Sequence, residues 1–491
     1  MTDRILGRPL LLAALAMASA SMPRLASAQA EPPLTPPSLQ DGSSKAPPPD
    51  LKLRPPELAP AKYQQSYLIP VLEVGVLYFI WNAWGRWVLQ EDFANVTWAS
   101  INRNLTGGVW WWDEDAMAVN QIGHPLQGSM NYLAARSTGN NLWVSFGYSF
   151  GASLLWEIAG ETEPPSYNDM ITTPVGGTVL GEILYRSHAL IIQSMSPGAL
   201  REVLAFIVAP TAGLNRAMFG NRYVSPEFYE TRSIYAQLGV GGGTAYTTVG
   251  NGSWKGGGSV QFMLTYGIVG DPDLELRRPF DHFVARAGIV AGTGVAADIT
   301  TRGTLAAAKF GGTGDWRGLW GLYALYDYIS PEVMRASAVA LGFGGDGQWI
   351  VAPGAVLEVA GIVGPAFGAD GMTAQPQGFR DQHMGPGAMG VVEARGIFAD
   401  RVRAMLEWRQ YFIGTAVDHS GWDDMSYAVA GLAFRLAGPH GIGISSTLSR
   451  RHAQYTGQPD TFQQARSLVV YYELLGSGLG APPRRIVDDA S

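Results

Sequence analysis

The sequence predicts an α+β membrane protein: a small N-terminal helical domain followed by an antiparallel transmembrane β-barrel of about twelve strands. Three observations predict it. The hydrophobic period changes from helical to two near Arg222. About twelve alternating runs follow, each long enough to cross a bilayer as a tilted strand. The connections between those runs alternate between long and short, as they do when one end of a barrel meets the periplasm and the other the exterior.

Taken in order, residues 1–30 have a basic start (Arg4, Arg8), an apolar run "LLLAALAMASA" and a small-residue end "LASAQA". That is the pattern of a secretory signal peptide cut near Ala28 or Ala30. The run is too short for a spanning helix. Residues 31–62 form a Pro-rich linker with little apolar surface to bury, extended or disordered rather than folded. Residues 63–222 read as the helical domain, with about five helices by periodicity. "YLIPVLEVGVLYFIWNAWGRWV" is apolar nearly all round. Ser166 with Asp169 three residues on is a capping box, and Ser196-Pro197 places proline at a first helical position.

Residues 223–477 carry the strands. In "SVQFMLTYGIV", Val260, Phe262, Leu264 and Tyr266 alternate with Ser259, Gln261, Met263 and Thr265. In "RVRAMLEWRQYF" the apolar set alternates with Arg401, Arg403, Glu407 and Arg409. A soluble all-β protein alternates too, with its polar face in water. Here the polar face is rich in Arg, Gly, Ser and Gln rather than the usual Lys and Glu, which suits a polar lumen. Arg286, Glu393, Arg395, Arg403, Glu407 and Arg409 are expected to line it. Aromatic residues gather toward strand ends, as in "WRGLWGLYALYDYI", in the manner of an interface girdle. Short turns are expected at Gly311–Asp315, Gly344–Gln348, Ala399-Asp400 and Ala437–Gly441, alternating with longer loops. One connection, "GDPDLELRRPFD", is longer than this rule wants. Residues 478–491 form a C-terminal tail, where a barrel often ends on an aromatic residue of its last strand.

Composition narrows the partners. The chain has no cysteine, so disulfides and thiol chemistry are excluded. A net charge of −7 gives nucleic acid no electrostatic attraction. The excess of arginine over lysine fits either a compositional bias or Arg forks pairing with carboxylates in a polar interior. The expected partners are outer-membrane lipid and, through the Pro-rich linker, other envelope proteins. No cofactor is implied.

The polar residues of the helical domain raise the question of chemistry. In "NQIGHPLQGSMNYLAARSTG", Asn120, His124, Gln127 and Asn131 fall on one helical stripe. Together with Arg136, Glu157, Asp169, Glu182 and Arg186 they lie in an otherwise apolar segment. Buried polar groups must be paired, so one network is expected. His124, Glu157 and Glu182 are the candidate catalytic groups. The plain alternative is that His124 ties a helix start to a neighbour, that Glu182 pairs with Arg186 four residues on, and that Asp169 caps a helix. There is no H-E-x-x-H, no second histidine at helical spacing from His124 and no G-x-S-x-G, so no metal site is expected and an enzyme is not indicated. "VWWWDEDA" resembles an interfacial aromatic cluster more than a binding box. Gly176, Gly177 and Gly181 form a small-residue stripe that permits close helix approach.

The strings "GHPLQG", "AARS", "WE", "PSYND" and "GGTVLGE", between about Trp111 and Arg186, resemble an uncharacterised bacterial family, domain of unknown function 3943. The resemblance implies an envelope protein of the outer membrane and transfers no catalytic residue. Three functions follow as expectations: passage or envelope assembly with the helices as plug or gate; a cell-envelope hydrolase using the His124 and Glu157 cluster; or a structural or interaction protein of the envelope. The helices are expected within the lumen or against the periplasmic mouth.

Overall fold

The structure is a computed structural model, and it describes residues 64–113, 115–225, 233–247, 253–291, 295–312, 314–330, 335–371, 382–416 and 420–476. The predicted signal peptide, linker and tail lie outside the described residues.

Twelve strands close one antiparallel barrel. They are β1 (Ile234–Thr247), β2 (Ser253–Tyr266), β3 (Phe283–Ala291), β4 (Val295–Phe310), β5 (Trp316–Ile329), β6 (Arg335–Ala352), β7 (Ala355–Gly371), β8 (Gln382–Phe398), β9 (Val402–Gly414), β10 (Gly421–Ala437), β11 (His440–Tyr455) and β12 (Thr461–Leu475). Each pairs with its sequence neighbours, and β12 closes on β1 with Leu474 opposite Leu238. Closure leaves no unpaired edge, which is what lets strands cross a hydrocarbon layer.

The two ends of the barrel differ. The start of β1, the end of β12 and the tight turns lie together at one end, here the turn side. Ala399 and Asp400 both adopt left-handed backbone, with φ of 49° and 51°, as a two-residue hairpin turn requires. The C-terminal ends of β1, β3, β5, β7, β9 and β11 lie at the other end, the loop side. One expected turn is misplaced: Gly344–Gln348 runs inside β6, and the chain reverses at Pro353-Gly354 instead. Glycine there serves the pleat, since a Cβ on Gly344 would stand 2.0 Å from the Gly361 carbonyl oxygen of β7.

Strand alternation separates the faces. Outward residues include Trp320, Val363, Val392, Trp408, Ile444 and Val470, all exposed apolar groups forming the belt a bilayer requires. Trp316, Trp349, Phe398 and Phe434 lie outward at the turn side, and Phe412 and Phe462 at the loop side, as aromatic girdles. Inward residues include many buried charged groups in ion pairs, beside an apolar cluster around Leu319, Tyr323 and Leu325.

Seven α-helices precede the barrel among the described residues: α1 (Leu68–Trp84), α2 (Trp98–Thr106), α3 (His124–Arg136), α4 (Leu142–Ala159), α5 (Asp169–Ser194), α6 (Ala199–Val208) and α7 (Pro210–Phe219). A π-helical turn, Val119–Gly123, leads straight into α3, and Pro125 lies in the first turn of that α-helix. Helix α6 starts at Ala199, after Gly198, and not at Pro197. Helices α1, α3, α4 and α5 form an up-and-down bundle. Its tightest crossing is α3 on α5, where a Cβ on Gly128 would stand 2.0 Å from the Thr173 carbonyl oxygen and one on Gly177 2.5 Å from the Gly128 backbone. Gly181 lies against the Tyr132 ring in the same way.

The bundle is neither in the lumen nor on a mouth: it packs on the outer wall. Tyr326 and Tyr328 point outward, because the intervening Asp327 reaches across the lumen to Arg409. On the same face of β5, Trp320 is 50 % exposed and Tyr326 only 1 %. The difference is the bundle. The Tyr326 hydroxyl donates to the Gln121 carbonyl oxygen at 2.5 Å, and Gly176 and Pro125 lie against its ring. Met117, Ile122, Val179, Leu180 and Ile183 join outward Leu264, Phe283, Val339, Ala369 and Met384 in one apolar core. Trp112 stacks on Phe367 of β7, 5.8 Å between centroids. The contact runs from the loop-side ends of β7 and β8 down to the turn-side ends of β2 and β3. The physical reason for the departure is chemical match: the apolar face of the bundle meets the apolar outer face of the wall, whereas the lumen carries an ion-pair lattice.

Candidate functional site

The lumen holds an ion-pair lattice. Arg286 of β3 reaches across to Glu407 of β9 and to Glu393 of β8, the latter at 2.5 Å. Arg302 bridges Glu393 at 2.8 Å and Asp346 at 3.0 Å. Arg409 pairs with Asp327 and Glu407. Arg395 pairs with Glu358, and Arg403 with Glu473 at 2.7 Å. Near the loop side Arg451 binds Asp370 at 2.9 Å and Asp423. The structure thus places all six sequence-selected lumen residues inward, and adds Arg302, Asp327, Asp346, Glu358, Glu473 and Arg451. Their signal was present as single charges on the polar parity of each strand.

The overlong connection after β2 has a specific place. Residues 267–282 turn back into the barrel mouth at the turn side. Gly270 lies directly against the inward Gln348 side chain, where a Cβ would come within 2.0 Å of its oxygen. Lys309 donates to the Pro272 carbonyl oxygen at 3.3 Å, and Leu274 joins the inward apolar cluster with Leu319, Tyr323 and Leu325. His282 faces inward, its Nδ1 bonded to the Gly267 carbonyl oxygen at 2.8 Å and its Nε2 3.4 Å from Asp346. Between this segment and the lattice lies a cavity of about 40 Å³, lined by His282, Arg302, Asp346, Gln348, Glu393 and Arg395. It has room for a few water molecules.

One residue before His282 the same segment meets the bundle outside the wall. Arg186 of α5 contacts Asp281 at 3.3 Å and donates to the Pro279 carbonyl oxygen at 2.9 Å. Asp281 also accepts the backbone N–H groups of Arg277 and Arg278, each at 2.8 Å.

The polar residues of the bundle form two clusters, not one network. The first centres on Glu182. Its carboxylate accepts from Arg136 Nε and Arg186 Nε, both at 2.8 Å, and from the Tyr132 hydroxyl at 2.6 Å. It is fully surrounded, with no free position for a substrate, so this candidate catalytic group has an architectural place. The second lies toward the loop side. His124 Nδ1 is 3.1 Å from the Thr173 hydroxyl, and its Nε2 is 3.7 Å from Asp169. The Ser166 hydroxyl donates to Asp169 and accepts the Asp169 N–H at 3.2 Å, while the Ser166 N–H donates to Glu157 at 2.7 Å. The predicted capping box therefore exists in altered form, with Glu157 taking the donor that Asp169 was expected to take. A serine triad needs the hydroxyl on the histidine. Here serine and histidine both address the carboxylate. Asn120 is fully buried in the π turn one helical step before His124. Among the described residues no group of His, Asp and Glu stands in metal-binding arrangement.

The loops beside this second cluster are acidic. Asp115 is pushed up to about 7, by burial of its carboxyl among protein atoms first and by Asp113 second, although part of the residue stays exposed. Glu161 is raised by burial and then by Glu157 and Asp169. A feature not singled out in the sequence ties the bundle together. Ser145, Ser149, Ser153 and Glu157 follow at every fourth position of α4, all buried, with Ser149 donating to the Gly128 carbonyl oxygen at 3.0 Å and Ser153 to that of Asp169 at 3.3 Å. A four-residue polar period inside an apolar helix was the signal.

Fold and site together define a closed transmembrane β-barrel of the outer-membrane type with a helical bundle on its wall. Residues 109–211, most of that bundle, match the family described as Domain of unknown function (DUF3943). No curated protein matches the chain. Among solved structures, the barrel is similar to the Pseudomonas putida toluene transporter TodX, at 9% identity over 50% of this chain and 90% of that one, with a TM-score of 0.21. It is also similar to OmpT of Vibrio cholerae, at 10% identity, 50% and 97% coverage and a TM-score of 0.20. The outer membrane protein opdK of Pseudomonas aeruginosa matches at 8% identity, 50% and 99% coverage and a TM-score of 0.19.

Proposed function

We propose that the chain serves passage across the outer membrane and is held shut in the state described, with the segment 267–282 as plug and the helical bundle as an outer clamp on it. The observation that carries this reading is the double attachment of that segment. Its Val269, Leu274 and Leu276 pack into the inward apolar cluster, and its Asp281 is held from outside the wall by Arg186. A lumen lined by paired arginines and carboxylates suits a hydrophilic solute once the plug leaves. Gln64, the first described residue, lies at the turn side, beside Gly139 and bonded to Arg222 at 2.7 Å. In planar bilayers wild type is expected to show no steady conductance, and a variant with residues 269–276 replaced by a short turn to conduct. A folded variant that stays silent would end the passage reading.

A further inference from the structure

We propose that the helical bundle is itself embedded in the membrane, so that acyl chains of the bilayer cover the outer faces of α1 and α4 in continuity with the lipid belt of the barrel. Three observations carry this.

The first is the inversion of α1. Its run Leu68–Leu89 is 22 residues long with a mean hydropathy of 1.4, which at 1.5 Å per residue reaches about 33 Å, the depth of a hydrocarbon core. Only a narrow strip, Pro70, Val74 and Tyr78, is buried against protein. Leu72, Val76, Phe79 and Ile80 are exposed, Phe79 to 67 %. The polar side chains of Leu68–Trp84 all turn inward. Glu73 accepts from Asn215 at 3.1 Å, the Tyr78 hydroxyl accepts from Asn131 at 3.0 Å, and Asn82 donates to the carbonyl oxygens of Ala94 and Gly160. A helix in water does the reverse. A helix in hydrocarbon keeps its polar groups against the protein.

The second is that α4 repeats the pattern. Its Ser145-Ser149-Ser153-Glu157 stripe is buried, while Trp143, Phe150 and Leu155 are exposed. An exposed apolar face of this extent marks an interaction surface.

The third is position. The bundle lies against the outer wall between the two aromatic girdles, from Met384 at the loop side to Tyr266 at the turn side. It therefore occupies the depth at which the rest of the barrel presents Val363 and Trp408 to lipid. The helices carry girdles of their own, with Trp84, Trp87 and Trp98 toward the loop side and Tyr67 and Trp143 toward the turn side.

The absence of cysteine makes the test direct. Single cysteines at Phe79, Phe150, Val363 and Asp460 are spin-labelled in the full chain, reconstituted in phospholipid bilayers. Collisions with oxygen, which concentrates in hydrocarbon, are compared with those of a water-soluble nickel chelate. The Phe79→Cys and Phe150→Cys labels are expected to track Val363→Cys, at several-fold higher oxygen than nickel accessibility, and to differ from Asp460→Cys in the loop-side connection. Labels that track Asp460→Cys would place the bundle in water. Labels shielded from both reagents would mean that protein, a second copy or another partner, covers these faces. Either result overturns the proposal.

Discussion

The barrel and the bundle both keep charge inside and apolar surface outside, but they satisfy that charge differently. At the centre of the lumen carboxylates are shared. Glu393 serves Arg286 and Arg302, Glu407 serves Arg286 and Arg409, and Asp346 serves Arg302 and faces His282. In the bundle one carboxylate, Glu182, joins two arginines: Arg136, which also donates to the Asn140 carbonyl oxygen, and Arg186, which also holds Asp281. A lattice can lose a member and repair itself from neighbours or water. A single node cannot, because removing it takes the shared carboxylate from two buried arginines at once. The strands cross by closing their backbone hydrogen bonds with each other, so the lumen side chains are free to specialise; the bundle depends on its side chains for its shape.

The sharpest way to break this comparison is to remove the node. Glu182→Ala is expected to destabilise the bundle by about 3–5 kcal/mol. Urea titration should show loss of protease resistance over residues 64–225 while the barrel retains its heat-modifiable gel mobility. Gly177→Leu forces a side chain into the Gly128 backbone and is expected to cost about 2–3 kcal/mol in the same assay. Arg409→Ala should cost about 2 kcal/mol, less than Glu182→Ala, because Tyr411 still donates to Asp327 at 2.7 Å and Arg286 still holds Glu407. A larger loss at Arg409 than at Glu182 would invert the argument. Tyr326→Phe removes only the hydrogen bond from wall to bundle, and about 1 kcal/mol is expected, read as a shift in the unfolding midpoint of the bundle.

The smallest expected effect is a pH dependence at Asp115. Its carboxyl in the folded chain titrates near 7 and in an unfolded chain near 4. Between those values the folded state holds a proton that the unfolded state has released. This group's contribution to stability therefore falls as pH rises through that window and is constant above it. The emission of the adjacent Trp110 and Trp112 should titrate with a midpoint near 7. Asp115→Asn should flatten that titration; a curve unchanged by the substitution would assign it elsewhere.

Much of the barrel could be read from sequence because a strand's period is two and its faces differ in polarity. Arg286, Glu393, Arg395, Arg403, Glu407 and Arg409 stand on the parity opposite the apolar residues, and the structure places each inward. What covers an apolar face is a different matter. Trp320 and Tyr326 share one face of β5, and nothing local distinguishes the one left open from the one under the bundle. The same limit hid the bundle's location, since periodicity groups residues on a face without naming the neighbour. The overlong connection after β2 was visible as an exception to the loop rule, and its length is what lets it enter the mouth. The expected single polar network divides in two because Glu182 lies thirteen residues beyond Asp169 along α5, roughly 20 Å at the helical rise.

Arg186 is the point at which these parts become one thermodynamic system. It touches the carboxylate at the centre of the bundle and the segment that turns back into the barrel mouth. Coupling of this kind is reciprocal. On the proposed reading, the coupling that passes through Arg186 is one quantity seen from two sides: displacing the segment weakens the bundle by that coupling, and tightening the bundle raises the work of opening by the same coupling.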